Sequence, residues 1–142
     1  MKLKEIKLAE NSKILIVEDD SDQRRLLVKI VKEAFGCEIL EAEDGLEALK
    51  IMLQDNQVPH LILLDLMMPC LTGVEFLTIV RGRPEFDQIP IVVCTALAET
   101  HEIKGKIGNQ IQGYLVKPIN REKLLEKILD ALHAVTVRVD YQ

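Results

Sequence analysis

Short aliphatic and β-branched runs alternate along the chain with longer stretches of helical period. The runs are Ile14–Val17, Glu38–Leu40, Leu61–Leu64, Ile91–Cys94 and Tyr114–Val116, short apolar stretches that read as strands. Between them lie four helical stretches, and a fifth follows the last run. The first carries Leu26, Leu27, Ile30, Val31 and Ala34 on one stripe. The second opens at Asp44 as N-cap, with Glu47 three residues on, the spacing of a capping box. The third runs from about Gly73 to Val80 and stops before Gly82 and Pro84. The fourth falls between His101 and Gln112 and holds Gly105 and Gly108, each costing ~1 kcal/mol relative to Ala inside a helix. The fifth starts after Pro118 with Asn120 as its cap and carries Leu124, Leu125, Ile128, Leu129 and Leu132.

Strict alternation of strand and helix predicts a parallel sheet covered on both faces, because each parallel crossover needs a helix. The fold class is therefore α/β: a doubly wound, five-stranded parallel sheet with five helices. The chain has 142 residues and shows no composition break, linker or repeat, so one domain is expected. We divide it into an N-terminal extension (1–12), the folded domain (13–135) and a C-terminal tail (136–142). In the tail Val137, Val139 and Tyr141 alternate with polar residues, a pattern open to an edge strand, a linker or a partner contact. A net charge of −5 with both signs interspersed argues against direct nucleic-acid binding. No apolar run is long enough to span a membrane and no signal-peptide core precedes the domain, so a cytoplasmic protein with no membrane contact is expected. The three cysteines, Cys37, Cys70 and Cys94, have no C-x-x-C spacing, and each reads as a small core residue.

In an open α/β sheet, ligands bind beyond the carboxyl ends of the strands. The first strand ends on Glu18, Asp19 and Asp20, the third on Asp65, the fourth on Thr95 and Ala96, and the fifth on Lys117 and Pro118. The second delivers little, which makes it the outer strand. Under the order 2-1-3-4-5, Asp65 lies beside the acidic trio and Thr95 flanks it on the other side. Lys117 is then two strands away, roughly 10 Å at the backbone, and its stem spans most of that distance. Crowded carboxylates repel one another unless a cation intervenes. Oxygen donors with no nearby His or Cys select a hard ion, and so small a protein ligand set suits Mg²⁺. With one lysine and one hydroxyl added, the site suits a phosphoryl group.

These residues carry a resemblance. The segments I-L-I-V-E-D-D at 14–20, L-L-D-L-M-M-P-C-L-T-G at 63–73, V-V-C-T-A at 92–96 and Y-L-V-K-P at 114–118 resemble the bacterial response-regulator receiver domains of two-component systems, chemotaxis receivers among them. The resemblance covers about Lys13 to Ala134. It implies that Asp65 is the phosphoacceptor, that Asp19 ligates the metal directly, and that Glu18 holds it, commonly through water. It further implies a backbone carbonyl ligand from Met67, phosphoryl contacts from Thr95 and Lys117, an aromatic switch at Tyr114 and a cis bond before Pro118. The implied donor is a histidine kinase or a histidine phosphotransfer protein. Gln110 stands where the family usually has Gly, with Asn109 beside it as the residue able to take a left-handed turn.

Such a protein promotes its own aspartyl phosphorylation and dephosphorylation and is not a turnover enzyme on external substrates. Two rival functions compete with this one. An aspartyl-phosphate phosphatase of the haloacid-dehalogenase type needs a second Asp two residues after the nucleophile, where this chain has Met67. A phosphorylation-independent interaction module on the same fold has no need of the complete acidic and basic set kept here. Output is expected on the face formed by the fourth helix, fifth strand and fifth helix, where a downstream protein binds. The first helix, with Arg24 and Arg25, is the expected kinase-docking surface.

Overall fold

The computed structural model describes residues 12–136. The N-terminal segment 1–11 and most of the expected tail, including Val137, Val139 and Tyr141, lie outside the described residues. The elements in chain order are β1 (Lys13–Val17), α1 (Ser21–Phe35), β2 (Glu38–Ala42), α2 (Gly45–Leu53) and β3 (Leu61–Leu64), then α3 (Gly73–Arg81), β4 (Ile91–Thr95), α4 (His101–Ile107), β5 (Gly113–Val116) and α5 (Arg121–Thr136). All strand pairs are parallel and the order is β2-β1-β3-β4-β5. Five parallel strands with five helices match the sequence expectation.

The period of two along each strand sorts the core into two layers. Ile14, Ile16, Leu61, Leu63, Val92, Cys94 and Leu115 pack against Leu27, Ile30 and Val31 of α1 and Leu124 and Ile128 of α5. Leu15, Val17, Ile62, Leu64, Ile91 and Val93 turn the other way, onto Met52 of α2, Phe76, Leu77 and Val80 of α3, and Ile107 of α4. Burying each such aliphatic side chain contributes about 2 kcal/mol, which leaves the central strands apolar on both faces.

Local chemistry sets the helix ends. The Asp44 carboxylate caps α2 by accepting from the Glu47 N–H at 2.8 Å. At α3, Thr72 and Glu75 form a reciprocal capping box, the chemistry that the T-G-V-E spacing allows. Gly36 ends α1 in the left-handed conformation at φ 63°, the usual role of glycine past a helix.

Four expectations need correction. Leu26 does not join the buried stripe: it is half exposed, and Phe35 completes the buried face instead. Cys70 is exposed, on the loop after β3, whereas Cys37 and Cys94 are buried and free. The fourth helix stops at Ile107 rather than continuing toward Gln112. Neither Asn109 nor Gln110 takes a positive φ; among the described non-glycine residues, Asn56 and Cys70 do. The Arg81 guanidinium instead holds the turn before β5, donating to the Gln110 carbonyl at 2.9 and 2.7 Å and to the Asp87 carbonyl at 3.0 Å.

Candidate functional site

Glu18, Asp65 and Lys117 each sit one step past the end of a strand, held by a further rung of the ladder. The Glu18 N–H donates to the Ala42 carbonyl at 3.0 Å, the Asp65 N–H to Val17 at 3.1 Å, and the Lys117 N–H to Thr95 at 2.7 Å. Their backbones thus inherit the rigidity of the sheet while their side chains lie beyond its edge. The Lys117–Pro118 peptide bond is cis.

The Lys117 ammonium lies between two carboxylates, donating to Glu18 and, at 2.9 Å, to Asp65 Oδ2. The other oxygen of Asp65, Oδ1, accepts from the Met67 N–H at 2.9 Å. Glu18 and Asp65 are buried, at 1% and 5% exposure, and Asp19 lies open to solvent. Burial pushes the Glu18 carboxyl up and the Asp65 charge adds to that, against the lowering pull of the Lys117 bond. Burial alone would lower the Lys117 ammonium, but its bonds to Glu18 and Asp65 outweigh that and raise it. The two directions agree: two buried carboxylates share one cation, so an excess of negative charge remains.

Glu18, Asp19 and Asp65 each offer a carboxylate oxygen within 4.8 Å of the others. An all-oxygen cluster with residual negative charge fits a hard divalent cation. Burial pushes the nearby Cys94 thiol up to about 12, and the metal-capable cluster found among the described residues is carboxylate only.

The remaining residues divide by face. Thr95 is fully buried at the end of β4, its hydroxyl accepting a long 3.4 Å contact from the Leu97 N–H. Tyr114 turns to the α3–α4 side and its hydroxyl donates to the Leu97 carbonyl at 2.7 Å. Both therefore meet at Leu97. The Met67 side chain is exposed rather than packed. Arg24, expected on the docking surface, is largely buried and bonded to the loop that carries Glu18. Leu26 instead lines a half-open apolar depression of about 390 Å³ together with Gln23, Ala96, Lys117 and Pro118.

Arg24 and Arg81 are the residues whose positions sequence reasoning missed. Both bond backbone carbonyls, which carry no signature in a sequence.

The geometry agrees with what comparison with known proteins finds. The family model described as the response regulator receiver domain matches residues 14–129. A chemotaxis protein CheY homolog of Campylobacter jejuni is 31% identical over 120 residues, covering 84% of this chain and 92% of its own length. The chemotaxis protein CheY of Pseudomonas aeruginosa is 33% identical over 116 residues, covering 82% and 92%. Among solved structures, Vibrio cholerae chemotaxis protein CheY4 superposes with a TM-score of 0.77 at 32% identity, covering 86% of this chain and 99% of its own. With matched segments spanning all five strands and the acidic and basic strand exits described above, the chain belongs to the response regulator receiver family of two-component signalling.

Proposed function

We propose that the protein accepts a phosphoryl group on Asp65 from a histidine kinase or a histidine phosphotransfer protein, in the presence of Mg²⁺, and so switches a partner-binding face. The observation that carries this reading is the Lys117 ammonium held between the buried carboxylates of Glu18 and Asp65. A lysine buried between two acids beyond a sheet edge serves no packing purpose, and it suits a site where more negative charge arrives.

In the transfer, a carboxylate oxygen of Asp65 forms a bond to phosphorus as the P–N bond to the donor imidazole breaks. The electron pair leaves with the imidazole. Lys117 donates to a phosphoryl oxygen, and the Thr95 hydroxyl turns toward another. Glu18, Asp19, Asp65 and the Met67 carbonyl would hold Mg²⁺, in keeping with the Mg²⁺ that receiver domains bind at an acidic pocket. When bound, the ion supplies positive charge that offsets the charge of the phosphoryl oxygens. Receiver domains do not turn over external substrates, and this chain's residues need only take up one phosphoryl group and lose it to water.

The donor is best accommodated beside the depression lined by Leu26 and Pro118, which adjoins Lys117 and offers apolar area next to the acceptor. Exposed Arg25 on the same helix remains available to an acidic partner, whereas Arg24 is engaged within the domain. Among the described residues no helix is long and apolar enough to cross a membrane.

The test is labelling with acetyl phosphate or a phosphohistidine donor, followed by mass spectrometric site mapping. Wild type should be labelled at Asp65 with Mg²⁺ and not in EDTA. Asp65→Asn should lose that label, and Lys117→Ala should slow its formation about 100-fold. Undiminished site-specific labelling of Asp65→Asn would overturn the reading.

A further inference from the structure

Arg24 lies one turn into α1, and its guanidinium is directed at three acceptors on two other segments. Nη1 donates to the Glu18 backbone carbonyl at 2.7 Å. Nε donates to Glu41 Oε1 at 3.2 Å, and Nη2 lies 3.9 Å from Glu43 Oε1. The side chain is 14% exposed, against 51% and 67% for the two glutamates. The sheet register explains why the acids are there. Glu41 pairs with Ile16 across the β1–β2 ladder, and Ile16 faces α1. Glu43, two residues on, projects to the same side.

We propose that Arg24 is a positioning residue for the cation site, one that sets the direction of the Glu18 and Asp19 carboxylates without touching the ion. The inference rests on the reading of Asp65, Asp19 and Glu18 as a Mg²⁺-dependent acceptor site. The Glu18 carbonyl and the Asp19 N–H belong to one rigid peptide plane. Anchoring that oxygen to Arg24 fixes the plane, and with it the backbone direction from which both carboxylates project. The loop is held at its other points as well: the Asp20 N–H donates to Glu18 Oε2 at 3.1 Å, and the Arg24 N–H to the Asp20 carbonyl at 2.9 Å. Glu41 and Glu43 orient the guanidinium from the far side. Only a planar fork with several N–H directions bonds the Glu18 carbonyl and Glu41 while pairing its charge with Glu43, so lysine is no equivalent here.

The sign of the effect separates positioning from charge. As a nearby cation, Arg24 repels a divalent ion, so deleting its charge should tighten Mg²⁺ binding if electrostatics alone mattered. A positioning role predicts weaker binding on deletion. The experiment is isothermal titration of the metal-free full chain with Mg²⁺, with Mn²⁺ paramagnetic resonance as a second readout. We expect Arg24→Lys, which keeps the charge, to raise the Mg²⁺ Kd about tenfold, the scale of outer-shell losses at metal sites. Arg24→Gln should weaken binding at least as much. At saturating Mg²⁺ both variants should still take label at Asp65. Unchanged affinity in Arg24→Lys, or tighter binding in Arg24→Gln, would overturn the inference. So would a loss of melting temperature in EDTA with an unaltered Kd, since that marks a purely structural role. Absence of Mg²⁺ binding in wild type would instead remove the underlying reading of the site, and the inference with it.

Discussion

Gly73, the first residue of α3, shows how tightly Asp65 is built in. A Cβ at this position would stand 2.5 Å from Leu66 Cα and 2.6 Å from the Asp65 carbonyl oxygen, both backbone atoms that cannot swing aside. The Gly73 N–H meanwhile donates to the Leu66 carbonyl at 3.1 Å. Gly73→Ala should therefore destabilise the protein by about 1–3 kcal/mol through overpacking and slow labelling of Asp65; an unchanged urea midpoint would refute this. Glu18 carries a different expectation. An acid whose folded-state value is raised holds its proton in the fold after the unfolded chain has released it. Stability in EDTA should thus fall as pH rises from the ordinary value of 4.5 through the raised one. Glu18→Gln should have a higher urea midpoint than wild type in EDTA at pH 7. The difference should vanish in acid, and added Mg²⁺ should reverse the order, because the amide is the poorer ligand. At this scale the sequence was legible wherever function restricts residue type: acids, lysine and hydroxyl at strand exits. It put Arg24 on a docking surface and gave no role to Arg81, because each bonds a main-chain oxygen that packing brings near.

The fourth helix is where element-level reasoning reached its limit. Glycines at 105 and 108 pointed to weakness, but periodicity could not say where the helix would end. It ends at Ile107, capped at its start by the Thr100 hydroxyl and supported by an exposed Glu102–Lys106 pair at 3.5 Å. Such a pair contributes only about 0.3–0.5 kcal/mol, and Ile107 is its one buried residue. Strand bounds were easier, because buried apolar runs stop where the polar site residues begin. The two glycines now separate. A Cβ at Gly105 meets nothing within 4 Å, whereas one at Gly108 would stand 2.5 Å from the Lys104 carbonyl. Gly105→Ala should stabilise α4 by about 0.5–1 kcal/mol, and Gly108→Ala should destabilise it. Amide exchange across 101–107 reads both; equal protection in the two variants would contradict the contrast.

Across the whole molecule, strand order was legible because the second strand delivers no site residue and the order 2-1-3-4-5 gathers the polar exits of the other four. The route by which a charge at Asp65 reaches a partner was not, since it depends on which backbone groups two side chains share. Thr95 and Tyr114 lie on adjacent strands and both bond Leu97, one at its N–H and the other at its carbonyl. On the proposed phosphorylation of Asp65, a Thr95 hydroxyl drawn to a phosphoryl oxygen would give up its 3.4 Å contact with the Leu97 N–H, the weaker of the two bonds. The loop from Ala96 to Thr100 is then free to shift, and with it the oxygen that anchors the Tyr114 ring. The next element along the chain is α4, which has a single buried residue to resist the shift. The Arg81 clamp on Gln110 limits the movement at its far end. Beryllofluoride with Mg²⁺ should therefore alter amide exchange mainly in residues 96–118, leaving α2 and the β1–β2 ladder unchanged. Tyr114→Phe, which removes the bond to Leu97, should raise exchange in the 96–100 loop before the mimic is added and so shrink the change it produces. If altered exchange instead falls on α1 and α2, the switching face lies toward the β2 edge of the sheet and the Leu97 route is wrong.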